Sequence, residues 1–312
     1  MEVMRYLHLD VFTSTPFEGN QLAVFPEPDR DTATPRMQRI AAEMAFSETT
    51  FVFPPEGGGD VRMRIFTPAS ELPLAGHPTI GTTFALAAEG VIARGRDEFV
   101  FELGVGPTPV SLEWKGDSLS FAWMTQPLPS FEQQIRNREA FAAAVGLDAG
   151  DLADLPVQVV SCGVPFLFVP LESRQAVDRI VIDRRTLARI FADHGLDVLP
   201  KFFFTMDRTG AAADELVYSR MLAPEFGIAE DPATGSASGP LGSYLLHHDV
   251  VSREQARSMV SLQGAAMKRP SRIHISIDSE TGNSAVESGR AAITRVRVGG
   301  TSVMVARGEL LV

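Results

Sequence analysis

The sequence predicts a mixed α and β protein built from two similar halves. Three observations point there: extended apolar runs punctuated by Gly and Pro, an apolar helix that follows a glycine, and a pair of motifs that recurs in order. Arg64-Ile65-Phe66-Thr67-Pro68 recurs as Arg220-Met221-Leu222-Ala223-Pro224, and Glu71-Leu72-Pro73-Leu74-Ala75-Gly76 recurs as Glu230-Asp231-Pro232-Ala233-Thr234-Gly235. Both copies lead into a helix. Looser echoes keep the same order: Pro16-Phe17 with Pro165-Phe166, the helix at 36–46 with 185–192, and the strand at 50–53 with 202–204. Chance produces one short match, whereas several in one order indicate an internal duplication, with two halves expected to pack around a pseudo-two-fold axis. The chain of 312 residues has room for about two domains at roughly 150 residues each, each long enough to bury its own core.

The elements follow in order. Leu7 to Phe12 and Leu22 to Phe25 read as strands flanking the turn-rich Ser14-Thr15-Pro16-Phe17-Glu18-Gly19-Asn20. Met37, Ile40, Ala41 and Met44 fall at the spacing of one buried helix face, in a helix ending near Phe46. Strands at 49–53 and 61–66 precede a loop running to Gly76. Pro78 stands where a first helical residue is expected and Gly90 where a C-terminal cap is expected, so 78–89 reads as a helix apolar enough to be buried. Strands at 98–103, 109–114 and 118–124 lead to Gln126-Pro127-Leu128-Pro129, a stiff connection. The expected halves are therefore 1–126 and 127–312, with the last strand returning to the first half.

Composition narrows the function. The 28 Lys and Arg against 39 Asp and Glu leave a net charge of −11, which provides no positive field for a phosphate backbone, so nucleic acid is not expected as a partner. One cysteine, Cys162, excludes an internal disulfide and any site needing two thiolates, whether metal site, redox pair or two-thiol racemase. The N-terminal Met1-Glu2-Val3-Met4-Arg5-Tyr6 lacks a basic region followed by an apolar run, and no stretch approaches about 18 apolar residues. A cytoplasmic protein without a membrane partner is expected.

The candidate site residues come from the duplication and from what breaks it. Each repeated motif ends in a glycine at a helix start, Gly76-His77-Pro78 and Gly235-Ser236-Ala237, where free backbone N–H groups and the positive end of the helix dipole suit a small carboxylate. The same glycines equally serve turns and packing. Ser47-Glu48-Thr49 lies at the helix-to-strand junction of the first half, whereas the matching junction around Lys201-Phe202-Phe203 offers no carboxylate. A carboxyl group placed beside apolar strand residues would hold or take a proton near neutral pH. On sequence alone, a solvated glutamate after a helix is the commoner outcome. Gly235-Ser236-Ala237-Ser238-Gly239 puts Ala237 where a nucleophile elbow needs serine. Phosphate-loop, dinucleotide and zinc-protease signatures are absent. The six histidines, His8, His77, His194, His247, His248 and His274, lack ligand spacing with carboxylates or thiols. Neither a metal nor a nucleotide is expected.

Taken together, the strings Ser47-Glu48-Thr49-Thr50-Phe51, Arg64 to Pro68, Glu71 to Thr79 and Glu230 to Ala237 closely resemble the phenazine-biosynthesis PhzF-like family. The match runs from Asp10-Val11-Phe12 and Glu18-Gly19-Asn20 to Gln263-Gly264 and Gly308. The resemblance implies an α+β diaminopimelate epimerase-like fold, each half a curved, mostly antiparallel sheet around a central helix, with the active site between the halves. Epimerases of that fold supply one catalytic cysteine from each half; Ala75 and Thr234 stand at or next to those places. It further implies Glu48 as the acid/base, His77 and Asp231 as substrate hydrogen-bonding residues, and backbone at Gly76, Gly235 and Ser236 for the substrate carboxylate. The implied reaction isomerises trans-2,3-dihydro-3-hydroxyanthranilate without a cofactor, in a homodimer. One departure bears on the substrate: Cys162-Gly163-Val164-Pro165-Phe166-Leu167 stands where the family carries a Gly-Pro-Arg-His run. The competing expectations are an epimerase using His77 and Asp231 as non-thiol bases, and a non-catalytic small-molecule binding protein.

Overall fold

The computed structural model describes residues 3–280 and 292–312; Met1 and Glu2 of the N-terminal segment lie outside it. The chain forms two compact units: Met1–Gln126 with Lys268–Arg272 and Arg297–Val312, and Pro127–Met267 with Ile273–Val296.

The first unit opens with β1 (Val3–Val11) and β2 (Asn20–Phe25), an antiparallel pair. Helix α1 (Thr34–Met44) crosses to β3 (Glu48–Phe53), which runs parallel to β2. Pro35 stands in its first turn and Met37, Ile40 and Ala41 are its buried face; left-handed Ala45 caps its last residue, Met44, two residues before the end the periodicity suggests. Strands β4 (Val61–Phe66) and β5 (Glu71–Leu72) add antiparallel. The central helix α2 (Gly76–Ala88) follows, then β6 (Glu98–Leu103), parallel to β4, and the meander β7 (Gly106–Lys115) and β8 (Ser118–Gln126).

Helix α2 starts two residues earlier than Pro78 suggests, because Ala75 is extended and Gly76 already turns; Pro78 falls in the first turn, where a missing N–H costs nothing. Nearly every residue of α2 is buried, and its threonines can be, because Thr79 and Thr83 donate to the carbonyls of Ala75 and Thr79 one turn back. At Gly81 a Cβ would come within 2.5 Å of Leu22 and 2.6 Å of Val11, so the helix can approach β1 and β2 only with glycine there.

The second unit contains β9 (Ser130–Gln134), α3 (Arg138–Ala144), β10 (Gln158–Ser161), β11 (Pro165–Leu171), α4 (Arg174–Asp178), α5 (Arg184–Asp193), β12 (Lys201–Thr205), β13 (Val217–Ala223), β14 (Ile228–Asp231), α6 (Gly235–His247), α7 (Arg253–Ala256) and β15 (Met259–Gln263). Then come β16 (Ser271–Glu280), β17 (Ala292–Gly300) and β18 (Ser302–Leu311); β18 returns to the first unit, antiparallel to β1.

The second unit repeats the pairings of the first. β10 and β11 are antiparallel, β11 and β12 parallel across α5, β12 to β14 antiparallel, and β13 runs parallel to β15 after the buried helix α6. Even the hydroxyl pattern recurs, with Ser238 and Ser243 donating to the carbonyls of Thr234 and Gly239. The recurring letters have a cause. Arg64 grips Glu71 through two hydrogen bonds of 2.7 and 2.6 Å, and Arg220 grips Glu230 through two of 2.9 and 2.7 Å, each clamp tying the long strand to the short one before the central helix. One echo fails. Ala23 pairs with Thr49 as Leu167 pairs with Lys201, so Phe166 matches Leu22 and the likeness of Pro165-Phe166 to Pro16-Phe17 is accidental.

Candidate active site

Strand register makes the two units comparable residue by residue. Thr49 pairs with Phe66 and Lys201 with Leu222; one residue back, Pro200 stands in the second unit where Glu48 stands in the first. Likewise Ile65 pairs with Leu72 and Met221 with Asp231, which aligns the two helix starts so that His77 matches Ser236 and Ala75 matches Thr234.

In the first unit Glu48 begins β3 and His77 is the second residue of α2. Glu48 Oε2 lies 3.3 Å from His77 Nε2, with only 12% of the glutamate side chain and 4% of the histidine exposed. The two atoms are within hydrogen-bond distance but not aligned as a hydrogen bond. Burial pushes the His77 pKa down to about 3, against the Gln21 carbonyl, which favours the charged ring. The imidazole is therefore neutral. Buried Asn20 of β2 places its amide nitrogen 3.2 Å from His77 Nδ1, so that side of the ring is held while Nε2 faces Glu48. Gly76 is the buried first residue of α2.

The loop carrying Asn20 is itself anchored. Buried Asp10 accepts from Arg269 and from the Phe17 N–H, while Arg269 also donates to the carbonyls of Glu18 and Gly19. Gly19 has φ +67°, and a Cβ there would sit 2.3 Å from the Val11 carbonyl oxygen. The string from Asp10 to Asn20 thus delivers Asn20 to the histidine.

In the second unit Asp231 ends β14, and Gly235 and Ser236 open α6. Asp231 is buried and its Oδ2 accepts from the Thr234 hydroxyl. Gln263, wholly buried at the end of β15, accepts from the Thr234 N–H at 3.0 Å and donates to the Asp231 carbonyl at 2.8 Å and the Thr234 oxygen at 2.9 Å. Sequence reasoning assigned roles to Glu48, His77, Asp231, Gly76, Gly235 and Ser236 but none to Asn20, Thr234 or Gln263. Cys162 is buried, and burial pushes its thiol up to about 12 despite a bond with Ser243. An open depression of about 740 Å³, lined in part by Arg62, Arg64, Glu71 and Glu102, lies on the first unit and includes neither Glu48 nor His77. Among the described residues no helix is long and apolar enough to cross a membrane.

A family model described as phenazine biosynthesis-like protein matches residues 9–308. The chain belongs to that family. Within the family, it is 39% identical to the trans-2,3-dihydro-3-hydroxyanthranilate isomerase of Pseudomonas aeruginosa, over 86% of this chain and 89% of that protein. It superposes on the PhzF-family phenazine biosynthesis protein of Bacillus anthracis with a TM-score of 0.85 at 26% identity, over the whole of both chains. A hydroxyproline epimerase from Agrobacterium vitis, 13% identical with a TM-score of 0.62 over 99% of this chain and 92% of its own, shares the fold alone. The chain thus shares its α+β fold with an epimerase and its family with a protein named an isomerase, and its single cysteine cannot supply two thiols.

Proposed function

We propose that the protein is a cofactor-independent isomerase that moves a proton within a small cyclic carboxylate of the dihydrohydroxyanthranilate type. Glu48 is the acid/base in this reading. Its carboxylate takes a proton from one ring carbon and returns it to another on the same face, so one carboxyl group serves both steps. His77 and Asp231 hydrogen-bond the substrate, and backbone N–H groups at Gly76, Gly235 and Ser236 receive its carboxylate.

The observation that carries this reading is a lone carboxylate beside a neutral histidine in one unit, with Pro200 in its place in the other. A neutral ring can share a proton with Glu48 without locking it into an ion pair. The epimerase alternative requires His77 as a base, and a ring with a pKa of about 3 is a poor one. The binding-protein alternative leaves a largely buried glutamate without a task.

The test is incubation with trans-2,3-dihydro-3-hydroxyanthranilate in deuterated buffer, followed by NMR. Isomerised product is expected, with deuterium at the reprotonated carbon only in the share of turnovers in which the Glu48 carboxyl proton exchanges with the buffer before its return, and Glu48→Gln should abolish its formation. Absence of any proton movement with this compound and related cyclic carboxylates, or full activity of Glu48→Gln, would overturn the reading. A homodimer in the cytoplasm completes the proposal, and light scattering on the purified protein checks its oligomeric state.

A further inference from the structure

We propose that Thr234 and Gln263 are positioning residues that fix the Asp231 carboxylate as an acceptor for a donor group, an amine or hydroxyl, on the ligand. The inference rests on the reading of Asp231 as a ligand-binding residue and says what chemistry it recognises.

The direction of every bond in this cluster follows from one backbone group. The Thr234 N–H can only donate, so the Gln263 atom facing it is the carbonyl oxygen, and the other end of the amide is the nitrogen. That nitrogen can only donate, so the Thr234 hydroxyl oxygen receives it. The hydroxyl's single hydrogen is then left for Asp231 Oδ2. Because Gln263 also binds the Asp231 carbonyl, backbone and side chain of the aspartate are held together. The carboxylate therefore enters the site already accepting one hydrogen bond, as a hydrogen-bond acceptor with a fixed orientation. The Thr234 N–H, consumed by Gln263, is not a contact for the ligand carboxylate.

The duplication supplies an internal control. Arg62 pairs with Glu102 as Tyr218 pairs with Leu262, so Leu103 stands where Gln263 does, and Leu72 and Ala75 stand where Asp231 and Thr234 do. The same strand-to-helix junction thus folds in the first unit with Leu72, Ala75 and Leu103. The fold does not require the polar cluster, and burying three polar side chains without need is unfavourable. Conversely, the Asn20, His77 and Glu48 of the first unit correspond to Val164, Ser236 and Pro200 in the second. Each unit keeps one polar cluster and replaces the other's with residues that cannot form it.

The experiment compares Thr234→Val, which keeps the shape and loses the hydroxyl, with Thr234→Ser, which keeps the hydroxyl. Binding of anthranilate, whose ring amine is a donor, and benzoate, which lacks it, is measured by calorimetry on the folded wild type and both variants. The wild type should prefer anthranilate by about tenfold or more; Thr234→Val and Gln263→Leu should lose that preference and Thr234→Ser restore it. With dihydrohydroxyanthranilate as substrate, Thr234→Val should raise KM about tenfold with kcat little changed. If the wild type does not turn that compound over, the proposed reaction fails while the binding comparison still decides this inference. Equal behaviour of the Val and Ser variants, no preference for anthranilate in the wild type, or a crystal structure of Thr234→Val with Asp231 unmoved would overturn it.

Discussion

Glu48 and Pro200 occupy the same register position in two copies of one folding unit, the first residue of a strand parallel to the preceding one and its counterpart just ahead of that strand. Both copies fold, so the carboxylate is not a requirement of the scaffold. Glu48→Gln, close in shape, is expected to leave the melting temperature within a few degrees and to lower proton exchange by about 10²-fold or more, the usual weight of a positioned acid/base. Pro200→Ala should leave the exchange rate unchanged. Deuterium incorporation measured by mass spectrometry checks both.

His77 predicts a dependence of stability on pH. Its folded pKa of about 3 lies below the unfolded value near 6.5, so between those values the unfolded chain binds a proton that the folded one does not, and stability rises with pH. The contribution is complete above about pH 6.5 and is lost as pH falls toward 3. From pH 7 to pH 4.5 the loss due to this group is about 2 to 3 kcal/mol, from 1.36 kcal/mol per pH unit across that window. Urea unfolding of the wild type and His77→Gln at several pH values should show a smaller acid loss in the variant, and NMR should show no titration of His77 between about pH 5 and 9.

The duplication could be read from sequence because the residues that made it visible have one structural job. Arg64 with Glu71 and Arg220 with Glu230 lock the short strand, and Gly76 and Gly235 start the buried helices, so neither copy could drift far. Strands β4 and β6 match their sequence-derived bounds because each is closed by turn residues at both ends. Glu48 was harder, since strand-edge glutamates are usually solvated and only the meeting with His77 and β2 decides its burial. Gln263 and Thr234 stand in the strings that carry the resemblance, but the bond between them was not legible. Their contact spans 29 residues, and the corresponding positions in the first unit carry Leu103 and Ala75, so a search for repeated letters passes over them.

The two arginine clamps should differ in weight. Arg220 and Glu230 have side chains only 12% and 14% exposed, and Arg220 also donates to the carbonyls of Val177 and Asp178; Arg64 and Glu71 are 21% and 39% exposed. The hydrogen bonds that Arg220 donates to Glu230 also raise its pKa, so the guanidinium stays charged. Removing one partner of a well-buried pair leaves an uncompensated charge, whereas a more exposed partner is taken over by water. Glu230→Ala is expected to cost about 3 kcal/mol and Glu71→Ala about 1 kcal/mol, as read from guanidinium unfolding curves. Equal costs would mean that the extra carbonyl contacts of Arg220 carry no weight.

Lys201 and Glu225 make a sharper asymmetry. Lys201 is wholly buried at the start of β12 and paired with Glu225, whose side chain is 17% exposed. Burial lowers the lysine pKa and the Glu225 partner raises it in opposition. Glu225→Ala would strand an ammonium with no water nearby, a loss of about 3 to 5 kcal/mol, and the chain would have to release the proton or open β12. Lys201→Met removes the buried charge instead and leaves a carboxylate that can turn to solvent. The corresponding position in the first unit, Thr49, is fully buried without a charge, so the strand junction accepts a neutral side chain. Lys201→Met is therefore expected to cost less than Glu225→Ala by at least about 2 kcal/mol, and Glu225→Ala combined with Lys201→Met to recover most of the loss. If the double variant unfolds as readily as Glu225→Ala alone, the cost lies in the short helical turn Pro224–Phe226 that carries Glu225 and not in the stranded charge.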